Sequence, residues 1–220
     1  MEALVEQLLQ SPKLHLYLSQ IQGVITEEQR RREEFYERIT EQQKAEFING
    51  QVVFHSPVMK RHNSASGKLY QLMNVYAERN GRGFVGIEKI LISLTRNDYE
   101  PDICFFSETK ARHFTEDQMR FPAPDLIVEV LSDSTAKVDR GLKFEDYEAH
   151  GVAEYWIIDP QTQVVEQYLL QADHYQLQFK SDNGLVRSRA LLGFEIPVQT
   201  IFDEQINTQA LQAMLRTGTA

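Results

Sequence analysis

"PDLIVEVLSDST", residues 124–135, is the stretch on which the fold turns. Leu126, Ile127, Val128, Val130 and Leu131 make a short apolar run with the length and β-branching of a buried strand, and Glu129 interrupts it. An ionised carboxylate in a desolvated strand costs several kcal/mol unless a cation or hydrogen-bond donors compensate it. Either the run is less buried than it looks, or positive charge comes to Glu129.

Downstream, "STAKVDRGLKFEDYEAHG" reads as a helix capped by Ser134 or Thr135 and stopped at Gly151. "EYWIID", "VVEQYLL", "HYQLQFK" and "LVRSRAL" follow as a strand meander, with turns at Asp159-Pro160 and Asn183-Gly184. Upstream, "FVGIEKILISL" and "DICFF" read as strands with Asn97-Asp98 as the turn between them. "HNSASGKLYQLMNVYAERN" is a helix with Leu69, Leu72, Met73 and Tyr76 at helical spacing, ended by Asn80-Gly81. Asn49-Gly50 between apolar-alternating segments signals a hairpin.

Residues 1–43 read as helical, with Ser11-Pro12 opening one helix and a Thr26/Gln29 capping box opening a second. The Arg30-Arg31-Arg32 and Glu33-Glu34 blocks read as a solvated face. "NTQALQAMLRTGTA" is a short helix or a loose tail. The expected organisation is a mixed α/β domain over 44–202, a helical extension over 1–43 and a tail over 203–220.

The 220 residues carry a formal net charge of −9, which argues against nonspecific attraction to a polyanion. Any nucleic-acid role needs a local positive patch or bound metal ions. Cys104 is the only cysteine, so no intrachain disulfide or cysteine zinc cluster forms, and Cys104 and Trp156 read as core. No stretch approaches the roughly 18 apolar residues that span a bilayer. "MEALVEQLLQ" carries Glu2 and Glu6 where a secretory signal needs positive charge, and a cytoplasmic location is expected.

"GRGFVG" at 81–86 matches G-x-G-x-x-G, but it follows a helix and runs into a strand, the reverse of a dinucleotide site. The six histidines show no metal-ligand spacing, and His62 reads as a helix-start or surface residue.

Two Pro-Asp dipeptides, at 101–102 and 124–125, stand at strand mouths. Asp125 shares a strand face with Glu129, but four residues put them roughly 13 Å apart. One magnesium ion, with oxygens at about 2.1 Å, cannot join them. Asp102 is on the preceding strand, and neighbours lie about 4.8 Å apart, so Asp102 and Glu129 are the workable pair. Glu46 is either a third ligand or an ordinary strand-end carboxylate. The same-face lysine position after Glu129 is Leu131. Lys143 is the substitute, in the helical stripe Asp139, Lys143, Tyr147, while Lys137 is too close to the helix start.

These residues resemble the PD-(D/E)xK nuclease superfamily with its last lysine displaced. More specifically, "EFINGQVV", "PDICFF", "PDLIVEVLSDST", "DRGLKFEDYEAHGVAEYWIIDP" and "GFEIPV" resemble the restriction endonuclease domain family of unknown substrate, over roughly residues 40–200. The resemblance implies a restriction-endonuclease-like α/β core, a mixed sheet flanked by helices. It implies that Asp102 and Glu129 hold a divalent metal, and that Lys143 stands in for the lysine missing at 131. Glu46 and the Val130 carbonyl are candidates for further ligands to the Mg²⁺ or Mn²⁺. The expected activity is endonucleolytic hydrolysis of nucleic acid, DNA in the first instance, by a homodimer. Leu131 departs from the family pattern and favours the alternative, a catalytically silent nuclease fold used for binding or assembly.

Overall fold

The structure is a computed structural model that describes residues 2–40 and 42–216. Met1, Glu41 and the last four residues of the C-terminal stretch lie outside the described residues. Helix α1 (Glu2–Leu9) turns at Ser11 into α2 (Leu14–Arg38), and the hairpin β1 (Ala45–Ile48) and β2 (Gln51–Phe54) follows. Asn49 and Gly50 close it with φ of 50° and 78°, the left-handed pair that a two-residue turn requires. Next come α3 (Lys60–Arg79), β3 (Gly83–Ile87), β4 (Leu91–Ser93), β5 (Asp98–Tyr99), β6 (Ile103–Ser107), the single turn α4 (Glu108–Ala111) and β7 (Arg120–Phe121). The chain then builds β8 (Leu126–Val130), α5 (Ala136–Asp139), α6 (Leu142–Ala149), β9 (Glu154–Asp159), β10 (Val164–Gln171) and β11 (His174–Ser181). It ends in β12 (Leu185–Arg187), β13 (Glu195–Pro197) and α7 (Glu204–Arg216).

The principal sheet runs β11-β10-β9-β8-β6-β3, with β8 and β9 parallel and the other neighbours antiparallel. Alternation along β8 divides the core. Leu126, Val128 and Val130 join Leu69, Leu72 and Met73 of α3, while Ile127 joins Cys104, Phe106, Tyr147 and Tyr155 on the other face. Glu129 therefore points to the face covered by α6. A second sheet, β2-β1-β5-β4-β7, stands beside it and brings β1 to the same place. The fold is the expected mixed α/β architecture with helices flanking its sheets and an N-terminal helical pair. No helix among the described residues is long and apolar enough to cross a membrane.

Several local expectations are corrected. Helix α2 runs unbroken through Gly23 and Thr26, so Thr26 opens no helix. "FVGIEKILISL" divides into β3 and β4, in different sheets, where Glu88 and Lys89 take positive φ. Asp98 lies in β5 and is fully buried, not in a turn. The helix after β8 breaks at Arg140-Gly141 into α5 and α6. "LVRSRAL" leaves the meander, because β12 pairs with β13 alone. Arg32 leaves the solvated face to bind Asp98 Oδ2 and Oδ1 at 2.6 and 2.8 Å.

Candidate active site

Register sets the central pair. Ile103 stands opposite Val128 in the antiparallel β6–β8 ladder, so one step further Asp102 stands opposite Glu129. Both carboxylates are buried, at 4% and 3% exposure. The backbone N–H of Val130 donates to Asp102 Oδ2 at 2.8 Å. Lys44, just before β1, donates to Asp102 Oδ1 at 3.1 Å, and His62 Nε2 of α3 lies 3.1 Å from Oδ2.

Lys143 of α6 is the second focus. Its ammonium donates to Glu129 Oε1 at 3.0 Å and lies 2.9 Å from Glu46 Oε1 and 3.5 Å from Asp139 Oδ1. Tyr147, one turn on, donates to Glu129 Oε1 at 3.2 Å. The stripe Asp139, Lys143, Tyr147 thus keeps its alignment across the break between α5 and α6, and all three are buried. Glu46 Oε1 accepts from the Glu100 N–H at 2.9 Å, while Oε2, which has no hydrogen-bond donor, lies 3.0 Å from His55 Nε2. A cavity of about 200 Å³ lined by Lys44, His62, Asp102, Glu129, Asp139 and Lys143 opens onto this cluster.

Four carboxylates, Glu46, Asp102, Glu129 and Asp139, share two ammonium groups, Lys44 and Lys143. Burial works against the charge on Lys143, but Glu129, Glu46 and Asp139 outweigh it and hold its pKa well above the ordinary value. Burial raises Glu46 as well, yet Lys143 and His55 bring it down to about 2. Asp102 is held below the usual carboxylate range, since His62, Lys44 and the Val130 N–H overcome its burial. Glu129 goes the other way: burial dominates, Lys143 opposes it, Asp139 and Asp102 reinforce it, and the group sits near 8. Asp139 is raised by burial too, and its Oδ1 has no hydrogen-bond donor. The site is short of positive charge, and the shortage falls on Glu129 and Asp139.

A divalent cation fits that deficit. The donors around Glu129 and Asp102 are hard carboxylate oxygens, the ligands Mg²⁺ prefers. Among the described residues no three Asp, Glu, His or Cys side chains already converge as a ligand set. Lys143 stands between Glu129 and Glu46, and Lys44 and His62 cover Asp102.

The family described as "Putative restriction endonuclease", Uma2, matches residues 32–199. The chain belongs to this family. An uncharacterized protein, sll1609, of Synechocystis sp. (strain ATCC 27184 / PCC 6803 / Kazusa) is 31% identical over 137 residues, 61% of this chain and 72% of its own length. The crystal structure of a "putative nuclease belonging to DUF820" from Anabaena variabilis ATCC 29413 has the same fold. Its TM-score is 0.67 at 18% identity, over 81% of this chain and 97% of that one.

In this Uma2 chain the remaining sequence candidates fall as follows. Asp125 accepts from the Ser107 N–H at 2.7 Å and pairs with Lys110 at 2.8 Å, a strand-entry role away from Glu129. Leu131 packs against the core on the α6 face. His62, expected at the surface, is instead buried against Asp102. Lys44 carried no signal of its own, because a lysine before a hairpin strand is ordinarily solvated. Only the sheet-to-sheet approach joins it to a residue 58 positions away.

Proposed function

We propose that the chain is a metal-dependent nuclease acting on phosphodiester bonds of nucleic acid, with DNA as the first substrate to test. The observation that carries the reading is Asp102 set opposite Glu129 with the Lys143 ammonium 3.0 Å from the latter. Asp102 and Glu129 would hold the Mg²⁺ or Mn²⁺ ion, with Asp139, whose Oδ1 has no hydrogen-bond donor and which lines the same cavity, as a further donor. Bound there, the ion supplies charge neutralisation to a phosphate and acidifies water.

The chain's own groups do the rest. Lys143 keeps its proton, so it acts as a fixed cation that orients an incoming water and stabilises developing negative charge, not as a base. It takes the role that Leu131 cannot fill. Glu46 holds Lys143 from the second sheet, and His62 and Lys44 hold Asp102 in its ionised form. Tyr147 fixes the Glu129 carboxylate.

The closed ion pairs support a second reading, a nuclease fold without turnover. Calorimetric Mn²⁺ titration separates the two. Binding at millimolar metal or below, lost in Glu129→Gln, is expected, together with metal-dependent cleavage of plasmid that falls about a hundredfold or more in that variant. No binding in the wild type leaves the network as a structural one. Single-stranded DNA, RNA and a chromogenic phosphodiester, assayed in parallel, define the substrate.

A further inference from the structure

One face of α2 is met in two conditions. Tyr17, Leu18, Ile21, Val24 and Ile25 lie on a single arc at helical spacing, and the same arc continues through Glu28, Arg32, Phe35 and Tyr36. Over the second half it is seated on the domain. Phe35 is buried, Arg32 and Tyr36 reach Asp98, and Glu28 pairs with Arg96. Over the first half it overhangs: Leu18, Ile21, Val24 and Ile25 are 46%, 48%, 55% and 47% exposed. Leu4, Val5 and Leu9 of α1 are exposed as well, at 62%, 48% and 64%.

Size and charge identify what covers it. The α2 arc and the three α1 side chains together expose on the order of 800 Å² of surface, beyond the few hundred Å² of a typical monomer's patch. It equals the roughly 800 Å² each partner commits to a standard interface. Residues 14–26 contain no Asp, Glu, Lys or Arg, in a chain whose net charge is −9. This stretch of α2 is therefore a surface on which two like-charged copies approach without repulsion. It also precedes residue 32, where the family match begins, so the shared fold does not account for its apolar face.

We infer that the α1–α2 arms of two copies cover one another in a two-fold dimer, with α2 crossing its counterpart near Ile21. Joined this way, the α2 helices form an apolar seam that excludes water from both arms. The inference is independent of the nuclease reading.

Sedimentation of the full chain at micromolar concentration tests it. A species of twice the chain mass is expected, unchanged in 1 M NaCl because the contact is apolar. A monomeric wild type overturns the proposal. Ile21→Glu/Ile25→Glu should sediment as a monomer with an unchanged circular dichroism spectrum. The milder Ile21→Gln/Ile25→Gln pair, expected to weaken the dimer at least tenfold, serves if the glutamates disturb folding. A well-folded variant that remains as tightly dimeric as the wild type overturns the arm as the interface.

Discussion

Glu129 carries a proton through the neutral range because burial outweighs Lys143, and Asp139 and Asp102 add to the burden. Its pKa rises from 4.5 in the unfolded chain to about 8, so between those values the folded state holds a proton that the unfolded state has released. Stability contributed by this group is thus full below about 4.5 and is lost as pH rises toward 8. Glu46, brought down to about 2, has the opposite sign and contributes above 4.5, with its share lost in acid. Without metal, unfolding by urea should show the wild type weakening from pH 5 to pH 8. Glu129→Gln should weaken less and be the more stable protein at pH 8, by about 1–3 kcal/mol, since a poorly compensated buried charge is gone. A variant less stable than the wild type at pH 8 would make Glu129 a structural carboxylate. The residue's importance was legible from one feature, a carboxylate among Leu126, Ile127, Val128 and Val130. The identity of Lys143 as its cation was legible too, from helical spacing after the strand. His62 was not, because the start of a helix is ordinarily wet, and only packing against the end of β6 buries it.

At the scale of elements, α2 is fastened to the second sheet chiefly by one guanidinium. Arg32 bonds both oxygens of the fully buried Asp98 and also donates to the Leu94 and Asn97 carbonyls at 2.7 and 3.2 Å. Tyr36 and Ser93 complete the carboxylate's shell. Arg32→Ala strands a buried charge, and a loss of about 3–5 kcal/mol in urea unfolding is expected. Asp98→Asn in the same chain should recover part of it. If the single variant loses less than about 1 kcal/mol, the pair behaves as a surface ion pair and α2 is held by Phe35 instead. Composition hid this contact, since Arg32 sits in an Arg-Arg-Arg block that looks uniformly solvated. Elements set by local chemistry were readable: Asn49-Gly50 dictates its hairpin, and the apolar spacing of Leu69, Leu72 and Met73 dictates α3. Those set by distant packing were not. Glu88 and Lys89 adopt left-handed conformations disfavoured for their side chains, and Glu88 donates its N–H to the Asp102 carbonyl at 3.0 Å. That kink separates β3 from β4, and no residue preference announces it.

Across the whole molecule, the site is a junction. Glu46 arrives on β1 of the smaller sheet, Glu129 on β8 of the larger, and Asp139 and Lys143 from α5 and α6, so the Lys143 ammonium touches all three carboxylates. Its removal tests whether charge or packing joins the parts. Lys143→Met keeps most of the side chain's volume but leaves Glu46, Glu129 and Asp139 facing one another. Each then holds a proton to higher pH than in the unfolded chain, so the folded state binds more protons and stability must fall as pH rises. The metal-free variant should lose about 3–5 kcal/mol at pH 8 and clearly less at pH 5, where proton uptake relieves the repulsion. Its stability should therefore slope more steeply with pH than the wild type's. Millimolar Mg²⁺ at pH 8 should return part of the loss, because an ion that binds only the folded chain stabilises it by mass action. An equal loss at both pH values, indifferent to Mg²⁺, would mean that Lys143 acts by packing alone and that the two sheets are held together elsewhere.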